Sequence, residues 1–308
     1  MRCLVYKSTG SWYIVKNDNG DIFNARIKGK FKIGNITSTN PIAVGDLVEV
    51  EMDNELERSV VINKIHDRKN YITRQSPHNK NQHHIIASNL DQSLLIATIK
   101  SPKTSLGFID RFLITAEAYH IPTFLIFNKA DLYDEVDHEQ FEETRYLYEH
   151  IGYKVLSMSL TEQKGLEEVK NLLENKVTLL SGHSGVGKSS FINALFPDLF
   201  LRTQDVSDWS GKGLHTTTFA EMFDIPLGGK VIDTPGLREF ALMDIPKYEL
   251  AHYFPEIKAL INDCKFNNCM HLNEPGCAVK QAVEKGSISP ERYYSYMNIL
   301  ESIEAKIK

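Results

Sequence analysis

The most informative stretch of this chain is Gly182-His183-Ser184-Gly185-Val186-Gly187-Lys188-Ser189. It matches the pattern G-x-x-x-x-G-K-S, with an apolar run, 177–180, before it and a helical pattern, 188–195, after it. Glycines let backbone N–H groups crowd around an anion, and a helix N-terminus adds positive potential. The stretch therefore predicts a phosphate-binding loop between a strand and a helix, in which Lys188 reaches the β- and γ-phosphates of a nucleotide.

Two further motifs flank this loop in an unusual order. Asn128-Lys129-Ala130-Asp131 precedes it and reads N-K-x-D, whereas Asp233-Thr234-Pro235-Gly236 follows it and reads D-x-x-G. A carboxylate such as Asp131 accepts hydrogen bonds from the N1–H and N2 amine of guanine, which adenine cannot match. The motifs together predict a GTP site. Their order predicts a circularly permuted domain, because the guanine motif ordinarily comes after the phosphate loop.

The remaining parts of the predicted site surround the phosphates and the base. The Ser189 hydroxyl is expected to bind Mg²⁺, together with Asp233, directly or through water. Thr217 is the predicted third magnesium ligand, with Thr216 and Thr218 as alternatives. The segment 157–160 follows the next strand and offers a main-chain N–H to the base. The residues predicted to bind GTP are Asn128, Lys129, Asp131, Ser157, Gly182, His183, Ser184, Gly185, Val186, Gly187, Lys188, Ser189, Ser190, Asp233 and Gly236.

The residue that activates water is less evident. Leu237 follows D-x-x-G, at the position where Ras-like enzymes carry a water-orienting Gln, and a leucine side chain cannot polarise water. His215 lies in the glycine-rich segment 207–218 and is the nearest candidate, although a structural role for this histidine is an equal alternative. We expect slow intrinsic hydrolysis, with His215 and Lys188 as the predicted catalytic residues.

A second group of potential functional residues, three cysteines and one histidine, lies near the C-terminus. Cys264, Cys269, His271 and Cys277 have the spacing C-x4-C-x-H-x5-C. Three thiolates and one imidazole complete a tetrahedral shell for Zn²⁺, and such a closed site is structural rather than catalytic. The alternative is a set of free thiols in an ordinary loop. Zinc is favoured because a short segment with little apolar content needs another source of stability.

Pattern along the chain predicts three domains. Residues 1–70 contain five short apolar-alternating runs with turn signals, which suit an OB-like β-barrel. Residues 71–243 alternate strands and helices, as in a mostly parallel α/β sheet, although the polar run 75–84 reads as a loop or linker. Residues 244–308 hold the zinc ligands and end in a helix predicted over 290–308, so this domain is expected to be mostly helical.

Composition sets broad limits on location and partners. The longest apolar runs are far shorter than the roughly 20 residues of a membrane helix, and the N-terminus lacks the apolar core of a signal peptide. We therefore expect a cytoplasmic protein with no membrane partner. The net charge of −5 argues against a simple DNA-coating protein. An excess of basic residues in the first 89 residues is a weak indication of RNA contact.

Taken together, the order N-K-A-D, G-x-S-G-V-G-K-S, H-T-T, D-T-P-G and C-x4-C-x-H-x5-C resembles the circularly permuted RsgA family of small ribosomal subunit biogenesis GTPases. The resemblance covers essentially the whole chain. It implies an OB-fold, a GTPase domain, a zinc domain, and GTP hydrolysis stimulated by the small ribosomal subunit during its late maturation. It also implies His215 as the hydrolytic residue, whereas Leu214 replaces a basic residue that many members carry there.

Two functions compete at this point. The first is a GTP-hydrolysing assembly factor, a monomer that exchanges GTP and GDP and contacts the small ribosomal subunit and its rRNA. The second is a nucleotide-dependent RNA-binding protein with negligible turnover. Leu237 keeps the second function open, whereas His215 favours the first.

Overall fold

The computed structural model describes residues 1–27, 41–75, 83–197, 220–233 and 245–307. The described strands are β1 Arg2–Ser8, β2 Tyr13–Asn17, β3 Ile22–Ile27, β4 Leu47–Asn54, β5 Ser59–Ile65, β6 Tyr71–Gln75, β7 His83–Ser88, β8 Gln92–Ala97, β9 Thr123–Phe127, β10 Lys154–Ser157, β11 Val177–Ser181, β12 Glu221–Asp224 and β13 Lys230–Asp233. The described α-helices are α1 Leu106–Ala118, α2 Glu135–Ile151, α3 Leu166–Leu172, α4 Lys188–Leu195, α5 Pro255–Lys258, α6 Ala278–Glu284 and α7 Pro290–Ile307. Short 3-10 helices occupy Ala130–Leu132, Lys247–Tyr253 and Ile261–Asp263.

Strands β1 to β5 form the predicted N-terminal barrel. β1 pairs antiparallel with both β2 and β4, β2 with β3, and β4 with β5, while β3 runs parallel to β5, so the pairing closes on itself. Alternate side chains such as Val5, Val15 and Val48 are fully buried in the barrel core. This period of two is the pattern on which the barrel prediction depends, and the prediction is confirmed.

The central domain is built on a sheet with strand order β10-β9-β8-β11-β13-β12. Its first five strands are parallel, and β12 is antiparallel to β13. The carboxyl ends of β9, β11 and β13 therefore meet at one edge, where ligands of open α/β sheets bind. The β8 strand is buried along its whole length, as expected of a strand covered on both faces.

The observed boundaries differ from the predicted ones in identifiable places. The apolar pattern in the sequence predicts a helix over 141–151, but helix α2 begins at Glu135, because Asp134 and Asp137 form a capping box ahead of the apolar residues. Helix α1 begins at Leu106, after the cap residue Ser105. Strands β6 and β7 pair antiparallel, so Gln75, His83 and His84, at the ends of the run predicted as a loop or linker, belong to strands. The rest of that run, 76–82, lies outside the described residues. The polar sequence of this run gives no strand signal, and these strands are defined by their backbone hydrogen bonds.

The C-terminal domain packs its short helices around α7. Its apolar core includes Leu250, Phe254, Ile257 and Tyr296, and it also takes in Ile114 from α1 of the central domain. The domain is helical apart from the turns that carry the cysteines, as predicted. Helix α1 thus contributes side chains to two cores.

The barrel joins the central sheet at β12. Lys7 pairs with Glu221 across β1 and β12, both through the backbone register and through a side-chain ion pair of 2.9 Å. Next to it, the Asp224 carboxylate accepts from Tyr6 and Lys16 at 2.6 Å and from Lys230 at 2.5 Å. These contacts fix the barrel beside the edge of the central sheet.

Candidate functional site: a nucleotide pocket and a metal-ligand cluster

The loop between β11 and α4 is shaped by two glycines. Gly182 and Gly187 both have positive φ, at +142° and +101°. A Cβ on Gly182 would lie 2.2 Å from the Ile96 carbonyl oxygen, and a Cβ on Gly187 would lie 2.4 Å from Asn128 Nδ2. Any other residue at either position would push the loop away from the sheet or from the N-K-x-D segment.

Lys188 is held by the loop itself. Its Nζ donates to the carbonyl oxygens of Gly182 and His183, at 2.8 Å each. Burial lowers the pKa of Lys188, and the opposing charge of Asp233 limits that effect. Ser189 and Ser190, in the first turn of α4, are exposed. The loop therefore has an ammonium group and exposed hydroxyls where the predicted phosphates and Mg²⁺ would lie.

Asn128 connects the base segment to the phosphate loop. It follows β9 directly, its backbone N–H donates to the Ala97 carbonyl at 2.8 Å, and its side chain is only 2% exposed. Its Nδ2 donates to the Val186 carbonyl of the loop at 2.8 Å. One side chain thus sets the spacing between the two motifs, although they are far apart in sequence.

Asp131 is oriented by the side chain of Ser159, within the segment 157–160 from which a main-chain N–H to the base is predicted. The Ser159 hydroxyl, 1% exposed, donates to Asp131 Oδ1 at 2.7 Å. Ser157, the predicted contact, is exposed at the end of β10. The Met158 N–H donates to the Phe127 carbonyl, and the Ser159 N–H donates to the Lys164 carbonyl. The second serine of the Ser-Met-Ser-Leu run is the signal that would have pointed to Ser159.

Lys129 and Asp233 complete the described part of the pocket. Lys129 has a left-handed backbone with φ +68°, and its Nζ donates to the Ser101 carbonyl, on the loop before α1. Asp233 ends β13, pairs in register with Leu180 of β11 and is 8% exposed. The structure thus brings Asn128, Lys188 and Asp233 to one edge of the sheet. His215, the alternatives Thr216, Thr217 and Thr218, Gly236 and Leu237 lie outside the described residues.

The four predicted zinc ligands come together in the C-terminal domain. Their ligand atoms all lie within 4.8 Å of one another. His271 Nδ1 is 3.5 Å from Cys277 Sγ and 3.6 Å from Cys264 Sγ. Zn–S bonds of about 2.3 Å and Zn–N bonds of about 2.0–2.1 Å at tetrahedral angles require N···S separations of about 3.5–3.6 Å. The cluster therefore fits a zinc ion in size and in donor chemistry.

The surrounding groups hold the ligands in place. Burial raises the pKa of Cys269 to about 12, and the neighbouring Cys277 and Cys264 add to the shift, so a cation is needed to hold three thiolates together. Glu274 accepts the N–H groups of Met270 and Leu272, at 2.8 Å each. Burial opposes ionisation of Glu274, but these N–H donors keep its pKa below the usual value. The carboxylate thus fixes the turn on both sides of His271.

The fold and the two sites define a class of protein. A parallel sheet with a guanine motif after β9, a phosphate loop after β11 and an aspartate at the end of β13 is a P-loop GTPase domain with permuted order. A barrel precedes this domain and a Cys₃His cluster follows it.

Comparisons with known proteins agree with this class. A sequence model described as the RsgA GTPase matches residues 65–243, and one described as the RsgA N-terminal domain matches residues 3–60. The chain is 54% identical to the small ribosomal subunit biogenesis GTPase RsgA of Flavobacterium psychrophilum, over 98% of this chain and 93% of that protein. It is 52% identical to the protein of the same name from Phocaeicola vulgatus, over 99% and 97% of the two chains.

Solved structures resemble the fold over its whole length. YjeQ from Thermotoga maritima superposes with a TM-score of 0.77 at 34% identity, covering 98% of both chains. YloQ, described as a circularly permuted GTPase, superposes with a TM-score of 0.74 at 29% identity, covering 99% of this chain and 95% of that one. The chain belongs to the RsgA GTPase family. None of the helices in the described ranges combines the length and apolar character needed to cross a membrane.

Proposed function

We propose that this protein hydrolyses GTP and assists the late maturation of the small ribosomal subunit. The observation that carries the proposal is the contact of Asn128 with Val186, which joins a guanine motif to a phosphate loop in one pocket. The names of the relatives at 54% and 52% identity support the ribosomal role. The proposed domains are residues 1–70, 71–243 and 244–308, and the family matches at 3–60 and 65–243 support the first two.

The nucleotide would span the carboxyl edge of the sheet. Asp131, held by Ser159, would accept the guanine N1–H and N2 amine, and Asn128 would keep the base segment at a fixed distance from the loop. The Ser189 hydroxyl and Asp233 would hold Mg²⁺, together with Thr217 or one of its two neighbours. Bound Mg²⁺ supplies charge neutralisation at the β- and γ-phosphates.

Lys188 must change partners when nucleotide binds. Its two carbonyl acceptors, Gly182 and His183, lie in the same loop, so the ammonium can turn toward the phosphates without a change in the sheet. Water activation is assigned to His215, since Leu237 has no polar group. We expect little hydrolysis by the protein alone and faster hydrolysis when small ribosomal subunits order the segment that carries His215.

The other two domains would contact the partner. The barrel is the proposed rRNA-binding element, and the Cys₃His cluster would hold one structural Zn²⁺ through Cys264, Cys269, Cys277 and His271 Nδ1. A full ligand shell leaves the zinc no open position for catalysis. We further propose a cytoplasmic monomer, in keeping with a factor that acts on free subunits.

Single-turnover GTP hydrolysis with and without purified small ribosomal subunits tests the proposal. We expect the subunits to raise the rate, and His215→Ala to lose about 10²–10⁴-fold of the stimulated rate while still binding GTP. Lys188→Ala should instead weaken GTP binding itself. Tight GTP binding with no turnover in either condition would favour the nucleotide-dependent RNA-binding alternative. A wild-type rate in His215→Ala would assign His215 a structural role.

A further inference from the structure

A buried arginine of the C-terminal domain forms an ion pair with helix α1. Arg292, in the first turns of α7, is 1% exposed and donates to Asp110 Oδ1 at 2.6 Å and to Glu256 Oε1 at 2.7 Å. Tyr148 donates to the same Asp110 oxygen at 2.7 Å. The guanidinium carbon also lies 4.7 Å from the ring centre of Phe254. We call Arg292, Asp110, Glu256 and Tyr148 the Arg292 cluster.

The cluster permits little sliding between the two domains. Asp110, from the central domain, and Arg292, from the C-terminal domain, are both essentially inaccessible to solvent. Parting them would leave Asp110 with the Tyr148 hydroxyl but without an opposite charge, which is costlier than parting an exposed pair, whereas Arg292 would keep Glu256. Ile114, one turn further along α1, is fully buried in the C-terminal core. The position of α1 and the docking of this domain therefore change together.

The first turn of α1 also contacts the phosphate loop. The His183 ring, in the loop, stacks on the Phe108 ring of α1, with centroids 3.7 Å apart and planes 28° apart. Burial and the nearby charge of Lys188 lower the pKa of His183, so the ring stacks in its neutral form near neutral pH. Lys188 donates to the carbonyl of the same His183. When Lys188 turns to a phosphate, the residue stacked on α1 loses one of its contacts.

We propose that α1 couples nucleotide occupancy of the phosphate loop to docking of the C-terminal domain, with Phe108 as the positioning residue. Phe108 and Asp110 are two residues apart on one helix, so their Cα atoms differ by only about 3 Å along its axis. A shift at the His183 stack moves the partner of Arg292 with it. The coupling rests on the proposed nucleotide function and adds to it a second domain that responds to bound nucleotide.

Hydrogen exchange with and without saturating GDP and Mg²⁺ tests the coupling in the full-length, zinc-loaded protein. In the wild type, nucleotide should slow exchange in the loop, 181–190, and change exchange in α7 by about fivefold or more, the low end of ordinary coupling. In Phe108→Leu, the loop should still be protected but the change in α7 should vanish. Phe141→Leu is the matched control, because Phe141 is buried in the same apolar core but packs edge-on against Phe127 and at a tilt against Tyr133, away from His183.

If bound nucleotide alters docking of the C-terminal domain, then weaker docking must alter nucleotide affinity by the same factor, which is the second measurement. Arg292→Lys keeps the charge but loses the two-pronged contact with Glu256, and it should change the GDP dissociation constant by about fivefold although Arg292 does not touch the loop. Combining it with Phe108→Leu should add no further change, because both act through α1.

The outcomes separate the coupling from the function on which it rests. A protected loop with unchanged exchange in α7 overturns the coupling and leaves nucleotide binding intact. A change in α7 that survives in Phe108→Leu, or that is lost equally in Phe141→Leu, also overturns it. No protection of the loop by GDP removes the proposed function, and the coupling with it.

Discussion

The nucleotide pocket and the Cys₃His cluster differ in how far apart in the sequence their residues are. The four predicted zinc ligands all lie between residues 264 and 277, and Glu274 fixes the turn around His271 locally. The pocket instead collects side chains after β9, β11 and β13, and it depends on the register of the sheet. A local cluster fails when one ligand is lost, whereas a distributed pocket fails when the spacing between its segments changes.

The largest effect should come from removing a zinc ligand. Cys269→Ser should lose the single zinc and unfold the segment 264–277, because zinc binding of this type contributes about 10–16 kcal/mol at pH 7. Metal analysis and hydrogen exchange over the segment measure both results. GTP affinity should stay within about fivefold of wild type, the size of the coupling proposed through α1.

The control for this change is Cys3→Ser, which alters a buried cysteine of the barrel and should keep one zinc per chain. Wild-type protein that contains no zinc after chelator-free purification would contradict the assignment. A loss of GTP binding as complete as the loss of zinc would show that the two sites are not separable.

Changing the spacing of the pocket should give the next largest effect. An alanine at Gly187 must adopt φ near +101° and place its Cβ against Asn128 Nδ2, which would part the loop from the base segment. Gly10→Ala is the matched control, since Gly10 has φ +92° and no atom within 4 Å of the added carbon. The control should lose about 1–2 kcal/mol of unfolding free energy from positive φ alone.

Gly187→Ala should lose about 1–3 kcal/mol beyond the control, from overpacking, and should bind GTP much more weakly. Denaturant unfolding and GTP titration measure these effects, and zinc content should not change. Equal losses in the two variants would mean that the contact between Gly187 and Asn128 does not set the pocket spacing.

At the end of the pocket that binds the base, GTP affinity should fall strongly when Asp131 is changed and less when Ser159 is changed. Asp131→Asn should weaken GTP binding about ten- to a hundredfold, because it removes a charge-assisted acceptor worth about 1.5–3 kcal/mol, and should shift preference toward xanthine nucleotides. Ser159→Ala should cost about 1 kcal/mol, roughly fivefold, by removing the hydroxyl that orients the carboxylate. An unchanged GTP dissociation constant in Asp131→Asn would refute the base assignment.

Ser157→Ala is the control for the Ser159 hydroxyl, because it leaves every main-chain N–H of the segment 157–160 in place. Ser157 is exposed, whereas the Ser159 hydroxyl lies 2.7 Å from Asp131. We expect Ser157→Ala to bind GTP almost normally. A larger loss in Ser157→Ala than in Ser159→Ala would mean that the Ser159 hydroxyl is not what orients Asp131.

The smallest expected effect is on the stability of the junction between the barrel and the central sheet. Like the pocket, this junction is built from residues that are far apart in the sequence. Burial opposes ionisation of Asp224, but hydrogen bonds from Lys16, Lys230 and Tyr6 lower its pKa to about 2. The unfolded value is about 3.9, so the stabilising contribution is complete above pH 4 and is lost as the pH falls toward 2. Because the group is partly exposed, the contribution is about 1 kcal/mol.

Unfolding of the wild type and of Asp224→Asn at a series of pH values measures this contribution. The difference in unfolding free energy should be present at pH 7 and should shrink as the pH falls from about 4 to about 2. A difference that does not change over that interval would mean that the ionised carboxylate is not what stabilises the junction.

Much of the fold and of both sites could be predicted because their signals are local. The barrel strands follow from alternation over five to eight residues, and the phosphate loop follows from glycines beside an apolar strand. The four residues of the Cys₃His cluster could be grouped from sequence, because short covalent spacing keeps the four side chains within reach of one ion. Motif order further predicted the permuted topology, and the sheet order confirms it.

Only the tertiary structure decided the contacts between distant segments. Arg292 and Asp110 are 182 positions apart, and neither residue type signals burial or a partner. The hydrogen bond from Ser159 to Asp131 depends on how β10 ends against the N-K-x-D segment, and the pairing of β6 with β7 depends on backbone hydrogen bonds that the polar sequence at 75–84 does not signal. A sequence specifies which groups are available, but burial and pairing depend on which chain segments are brought together, and that is a property of the whole folded chain.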